Sequence, residues 1–246
     1  MSVWGVPLQF WNLGKYRYKF YRYVLEIVCR KLIKKNSVIL DAGCGEYISS
    51  ISVLPTDVTV MCIDISKKNI RKSHKLAKNA ELTNYAYLQC SVTNLPFKGN
   101  TFDLVFSVDA IEHVLDNKKM IRETYRICKK SGCFVGTTSN ILNPVLMLDS
   151  FFPKLLNNLA KKFAGEHHYE RHTRLSPKEL LIHLSCSSFK KTSMQFFGYP
   201  LFKASHYQFS KKKLPVYAYF WIAFNKITDK GVLKYLKEAV VFCSEK

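Results

Sequence analysis

One segment constrains the fold of this chain more than any other. Val38-Ile39-Leu40 is an apolar run that ends on Asp41 and passes straight into Ala42-Gly43-Cys44-Gly45-Glu46. A buried strand that delivers its chain into G-x-G lets backbone approach a ligand closely, because neither glycine carries a Cβ. A helix is expected next, near Tyr47–Leu54, with its N-terminus facing an anionic group. Val58–Ile63 is a second apolar run, and Asp64 ends it, 19 residues after Gly45. In a doubly wound sheet a carboxylate at that point accepts the two hydroxyls of a ribose. The combination describes an adenosine-type ligand at the carboxyl edge of a sheet.

The rest of the chain to Asn140 alternates in the same way. Ser66 is placed to cap a helix over Lys67–Ala80. Tyr85–Gln89 and Phe102–Ser107 read as strands, Asp116 caps a helix to about Lys129, and Ser131–Gly132 turns the chain into a strand over Cys133–Thr138. Strands alternating with helices imply βαβ units. The expected fold is α/β, a Rossmann-like doubly wound sheet, mostly parallel, with helices on both faces. Beyond Asn140 the pattern loosens. Ile141–Phe163 reads as helical, Ser176–Pro177 opens a helix to about Leu184, Phe189–Pro200 reads as a strand, and Val240–Ser244 as a last, antiparallel strand. A single domain is expected over 1–246. Within it, 1–36 is an amphipathic helical element, 37–140 the cofactor-binding core, and 141–175 with 201–236 the substrate-side lid and insertions.

A nicotinamide dinucleotide site would want a third glycine at position 48, where Ile48 stands. Nor does that pattern call for an acid two positions before the first glycine, as Asp41 is. Asp41-Ala42-Gly43-Cys44-Gly45 followed by Asp64 instead resembles the class I S-adenosylmethionine-dependent methyltransferases of the type 11-like group. Asn94-Leu95-Pro96-Phe97 with Asn100-Thr101-Phe102-Asp103-Leu104-Val105 looks like that family's LPF…SFDLV stretch. Asp109–Val114 looks like its LEHV segment, Ile121–Gly132 like LREIYRVLKPGG, and Arg171–Leu181 like its approach to the next helix. The resemblance covers about residues 37–200, with the motifs in order.

It implies S-adenosyl-L-methionine as cofactor, with site roles that carry over position by position. Asp41, Ala42, Gly43, Cys44 and Gly45 would shape the pocket for the methionine part. Asp64 would hold the ribose, and Ile65 would pack on the adenine. Ser91 stands where the family often has an Asp toward the adenine amino group, with Val92 beside it. Ser107 would end the fourth strand beside the sulfonium. Tyr47 occupies the place of the family's third glycine.

Methyl transfer is an in-line displacement at carbon, so positioning dominates, and a base is needed only when the nucleophile must lose a proton. Candidates for a base are His113, His167, His168 and His172, with the Glu112-His113 pair after a strand end the best placed. The spacing His167-His168-x-x-x-His172 could suggest a metal, but this loop matches the family-like segment before the next helix, and no metal is expected.

Charge bears on the acceptor. The 246 residues hold 38 Lys+Arg against 18 Asp+Glu, a net of +20. Residues 1–36 carry +7, 37–140 only +3, and 141–246 carry +10. A basic amphipathic flank suits a small-molecule or lipid/glycan-linked acceptor with peripheral contact to an anionic membrane, and basic residues interleaved with Tyr16, Tyr18, Phe20 and Tyr23 suit RNA, the second choice. No run reaches the roughly 18 apolar residues of a spanning helix. The eight cysteines form no C-x-x-C pair, and a cytoplasmic location with reduced thiols is expected. Two other classes remain open on the residues alone: a non-catalytic protein on a methyltransferase scaffold, and a nicotinamide-dependent oxidoreductase.

Overall fold

A computed structural model describes residues 32–46, 54, 56–144, 147, 175–197, 235 and 239–246. The expectations for 1–31, for the helix after the glycine loop, for most of 141–175 and for 201–234 lie outside the described residues.

The elements in chain order are β1 (Val38–Ala42), β2 (Thr59–Asp64), α1 (Lys67–Asn79), β3 (Tyr85–Gln89), β4 (Phe102–Val108), a 3-10 turn (Ile111–His113), α2 (Asn117–Ile127), β5 (Cys128–Ser139), α3 (Pro177–Cys186), β6 (Lys190–Phe197) and β7 (Ala239–Glu245). The seven strands form one sheet in the order β3-β2-β1-β4-β5-β7-β6. β1 to β5 pair in parallel, and β7 runs antiparallel to both β5 and β6. The doubly wound α/β fold expected from the sequence is therefore the observed one. The chain order reverses at β1, where β2 lies on one side and β4 on the other, and a ligand crevice opens at such a switch point.

The strands are apolar runs because the sheet is covered on both faces, and alternate residues serve opposite sides. Ile39, Val60, Cys62, Leu104, Phe106 and Val135 build one cluster with Ala77 of α1. Leu40, Ile63, Val105, Phe134 and Phe242 build the other with Met120 and Ile121 of α2 and Leu180 and Leu184 of α3. Each fully buried side chain of this size stabilises the fold by about 1.5–3 kcal/mol.

The helices start where the sequence supplies a cap. The Ser66 Oγ accepts the Asn69 N–H, the Asp116 carboxylate accepts the Lys119 N–H at 2.8 Å, and Ser176 with Glu179 forms a reciprocal capping box ahead of Pro177.

One boundary differs from the sequence reading by more than two residues. α2 stops at Ile127, two residues before Lys129, and β5 begins at Cys128 instead of Cys133. Cys128 pairs with Phe102, and the register then shifts before Leu104 pairs with Cys133. Ser131–Gly132 is thus an irregularity inside the strand, with Ser131 at φ +62°. A Cβ at Gly132 would stand 2.9 Å from the carbonyl oxygens of Asp103 and Lys129, so the close approach of β4 requires glycine there.

Several family-like motif residues serve the fold. Glu123 and Arg126 form an ion pair on α2 and clamp the Leu95–Phe97 loop. The Arg126 guanidinium donates to the carbonyls of Phe97 (2.7 Å) and Leu95 (2.9 Å), and the Glu123 carboxylate accepts the Leu95 N–H at 2.9 Å. Asp103 Oδ2 accepts the Val38 N–H at 2.8 Å and the carboxylate pairs with Lys129, fixing the start of β1 against β4.

Candidate active site

The carboxyl ends of β1, β2 and β4 carry the glycine loop, Asp64 and the turn after Val108. Both loop glycines have left-handed backbone, φ +79° at Gly43 and +62° at Gly45. The Gly43 and Cys44 N–H groups both donate to the Ile63 carbonyl at 2.9 Å, which folds the loop back over β2. A Cβ at Gly43 would stand 2.6 Å from the Cβ of Ala110, so the loop is pressed against the residue that opens the 3-10 turn. A Cβ at Gly45 would meet nothing within 4 Å. Among the described residues, Gly45 therefore leaves room for a ligand to come against bare backbone.

Asp64, 8% exposed, is organised by four groups of the chain. Its Oδ2 accepts the Gly45 N–H at 3.0 Å, and its Oδ1 accepts the Ser66 N–H at 2.8 Å and Asn69 Nδ2 at 3.2 Å. The Asp64 carbonyl accepts the Cys90 N–H, which draws the start of the Ser91 loop alongside. A carboxylate offers about four acceptor positions. One ribose hydroxyl can take the remaining position on Oδ2, and a second needs only Asn69 to turn aside. Ile65 next to it is 73% exposed, an apolar side chain held outward while Gln89 Nε2 donates to its carbonyl at 3.1 Å. An open glycine loop, a carboxylate with spare capacity and an apolar platform beside it suit an adenosyl group.

The other sequence candidates fall as follows. Asp41 and Ala42 are buried at the end of β1, and Cys44 is a buried thiol under the loop. The Ser91 and Thr93 hydroxyls share a 2.9 Å hydrogen bond. Val92 packs half-buried against the cluster containing Leu40 and Ile63. Ser107, 1% exposed, donates to the Ala42 carbonyl at 3.0 Å, joining the ends of β4 and β1. His113 is exposed at the end of the 3-10 turn, three residues beyond Ala110. His167, His168 and His172 lie outside the described residues. No group of His, Cys, Asp and Glu able to hold a metal occurs among the described residues.

Glu112 plays a different part from its neighbour His113. Its carboxyl is buried and accepts Thr138 Oγ1 at 3.1 Å and the Ser139 N–H at 3.2 Å, anchoring the turn to the end of β5. Burial, aided by the nearby Asp109 charge, raises its pKa to about 7. Asp109 itself has φ +48°, and its carboxylate accepts Thr137 Oγ1 at 2.9 Å. Thr137 and Thr138 were not legible as site residues, because hydroxyls inside an apolar strand carry no signal of their register partner. Asn140 is likewise buried, donating from Nδ2 to the Tyr235 carbonyl at 2.7 Å and accepting the Leu142 N–H.

Strand order, reversed last strand and glycine-loop geometry together define a class I methyltransferase-like fold. A family model described as a methyltransferase domain matches residues 40–136. A ubiquinone biosynthesis O-methyltransferase of Pelagibacter ubique is 32% identical over 139 residues, 55% of this chain and 57% of that protein. An uncharacterized protein of Methanocaldococcus jannaschii is 35% identical over 107 residues, 44% of this chain and 43% of its own. The solved structure of an S-adenosylmethionine-dependent methyltransferase from Thermotoga maritima aligns at a TM-score of 0.60 and 16% identity, covering 94% of this chain and 95% of that one. At that identity the structural likeness speaks for the fold. The chain spans about half the length of the curated relatives it matches. Residues 40–136 thus match a methyltransferase-domain model, and the sheet has the fold of S-adenosylmethionine-dependent methyltransferases; the cofactor of that class is S-adenosyl-L-methionine.

Proposed function

We propose that this protein transfers a methyl group from S-adenosylmethionine to an apolar small-molecule or lipid-linked acceptor. The observation that carries the reading is the bond between Asp64 and Gly45 beside the exposed Ile65. It sets ribose acceptor, open backbone and adenine platform at one sheet edge. When bound, the sulfonium supplies an already activated methyl carbon. The chain's own residues then orient and enclose: Asp64 holds the ribose, Gly43 and Gly45 admit the methionine part, and Ile65 covers the adenine. An acceptor that must lose a proton needs a base, and exposed His113 on the turn anchored by Glu112 is the described residue best placed to take it.

The acceptor class is supported by exposed apolar side chains in the segments that follow the 3-10 turn and β5. Leu115 is 87% exposed, and Leu142 and Met147 beyond β5 are also exposed. The Pelagibacter relative is named for an O-methylation in ubiquinone biosynthesis, which agrees with an apolar acceptor.

Calorimetry with S-adenosylmethionine and S-adenosylhomocysteine tests cofactor binding. Labelling of an extract with radioactive methyl donor, followed by fractionation into lipid, RNA, protein and small-molecule pools, tests the acceptor. Label in the lipid or apolar small-molecule pool is expected. Absence of cofactor binding at saturating concentration would overturn the reading, and label confined to RNA would overturn the acceptor class.

A second reading has one observation behind it. Ser91 presents a hydroxyl already bonded to Thr93 where the family often has a carboxylate, which suits a cofactor-binding protein without turnover. Binding with no labelled product in any pool would favour it.

A further inference from the structure

The modest +3 of residues 37–140 hides a sorted distribution. α1 alone holds Lys67, Lys68, Arg71, Lys72, Lys75 and Lys78 and no acid, so the remainder of that stretch has three more acidic than basic residues. At about 100° per residue the six cations fall on one contiguous arc of about 140°. All six are exposed. Ser73 and Ala77 lie on the opposite side and are buried. Lys72 pairs with Glu46, and the other five carry no ion pair among the described residues. The stripe runs ~18 Å along the helix.

We propose that this face of α1 docks on the headgroups of an anionic membrane. Four to eight Lys/Arg gathered on one helix is the density that acidic phospholipids attract. The face is convex and carries no aromatic platform. His74, at its edge, is turned to Tyr87, with ring centroids 5.2 Å apart. Surfaces that follow a single nucleic-acid strand combine a basic groove with stacking rings, and this one has neither. Ala77 and Ile70 of α1 are packed on the sheet and Leu76 is left exposed beside the stripe, so the helix rests on the bilayer with little insertion. Because α1 begins at Lys67, three residues after Asp64, docking brings the cofactor edge close to the membrane plane.

Co-sedimentation of the full chain with phosphatidylcholine vesicles, with and without phosphatidylserine, tests the proposal. Binding is expected only with phosphatidylserine, and it falls as salt rises to about 1 M, where charges are screened within roughly 3 Å. K67E/R71E/K75E/K78E is expected to bind at least ~100-fold more weakly. The charge-matched K98E/K118E/K119E/R122E, all exposed positions away from α1, should change binding less than about threefold. Thermal unfolding checks that both variants fold, and K67Q/R71Q/K75Q/K78Q is read instead if the reversal does not. Equal loss in the two charge-matched variants, no binding by the unaltered chain, or loss of duplex-RNA binding with vesicle binding untouched would each overturn it. Cofactor calorimetry on the same preparations is independent of vesicle binding, so failure of methyl transfer and failure of docking are read separately.

Discussion

Gly45 donates its backbone N–H to Asp64 Oδ2 across 3.0 Å, so the glycine loop after β1 and the acid ending β2 form one hydrogen-bonded unit. Cofactor geometry and loop geometry cannot be altered independently. Asp64→Asn keeps the size but replaces one acceptor oxygen with a donor. It should weaken S-adenosylmethionine binding by about 1.5–3 kcal/mol, roughly 10- to 150-fold, by calorimetry. Asp64→Ala should also lower the thermal midpoint, because three N–H groups lose their acceptor.

Gly43→Ala introduces two faults, a side chain at φ +79° and a Cβ 2.6 Å from Ala110. A loss of about 1–3 kcal/mol in urea unfolding is expected. Adding Ala110→Gly should recover only part of that loss, since it relieves the contact and not the backbone strain. Full recovery would show that the left-handed conformation costs nothing here.

The Arg126 clamp should matter to folding rather than to chemistry. Arg126→Ala removes the donors to the Leu95 and Phe97 carbonyls and leaves Glu123 without its ion-pair partner. A destabilisation of about 1–3 kcal/mol is expected, with cofactor affinity changed less than about threefold. A large affinity loss with unchanged stability would place Arg126 in the site instead.

Glu112 should give the fold a pH dependence opposite to that of most carboxylates. Its folded pKa is raised to about 7, so between roughly pH 4.5 and 7 the folded chain holds a proton that the unfolded chain has lost. Its contribution is full at low pH, falls through that window by about 3 kcal/mol and is flat above it. The lowered carboxyls Asp103, Glu123 and Glu179 act in the other direction, and their contribution fades only as pH falls below about 4.5. Urea midpoints from pH 5 to 8 should show Glu112→Gln gaining on the unaltered chain as pH rises. Parallel curves would mean that Glu112 is ionised throughout.

The parts that the sequence made legible are those built from local rules. β1, the glycine loop, β2 and Asp64 could be read because an apolar run, two glycines and a strand-end acid each have one structural use at that spacing. β3 at Tyr85–Gln89 was bounded by polar turns and is found at those residues. The start of β5 was not legible, since Lys129-Lys130-Ser131-Gly132 reads as a turn and its pairing with β4 depends on the register shift near Phe102. Nor was the division of labour at Glu112-His113. Adjacent residues on a 3-10 turn point apart, and only the position of Thr138 decides which one is buried. The sidedness of α1 is not legible in the charge of a segment, since a segment sum cannot register that the helix gathers its cations on one side.

The place of β7 has a consequence for the order of assembly. β6 touches the sheet only through β7, and β7 reaches it only through β5, about a hundred residues earlier in the chain. Lys190–Phe197 therefore joins the sheet only when Ala239–Glu245 docks, alone or already paired with it, and that long-range closure is entropically slow. Until then β5 is an open edge, and the half-built sheet is most exposed to pairing with another chain while its last slot waits to be filled.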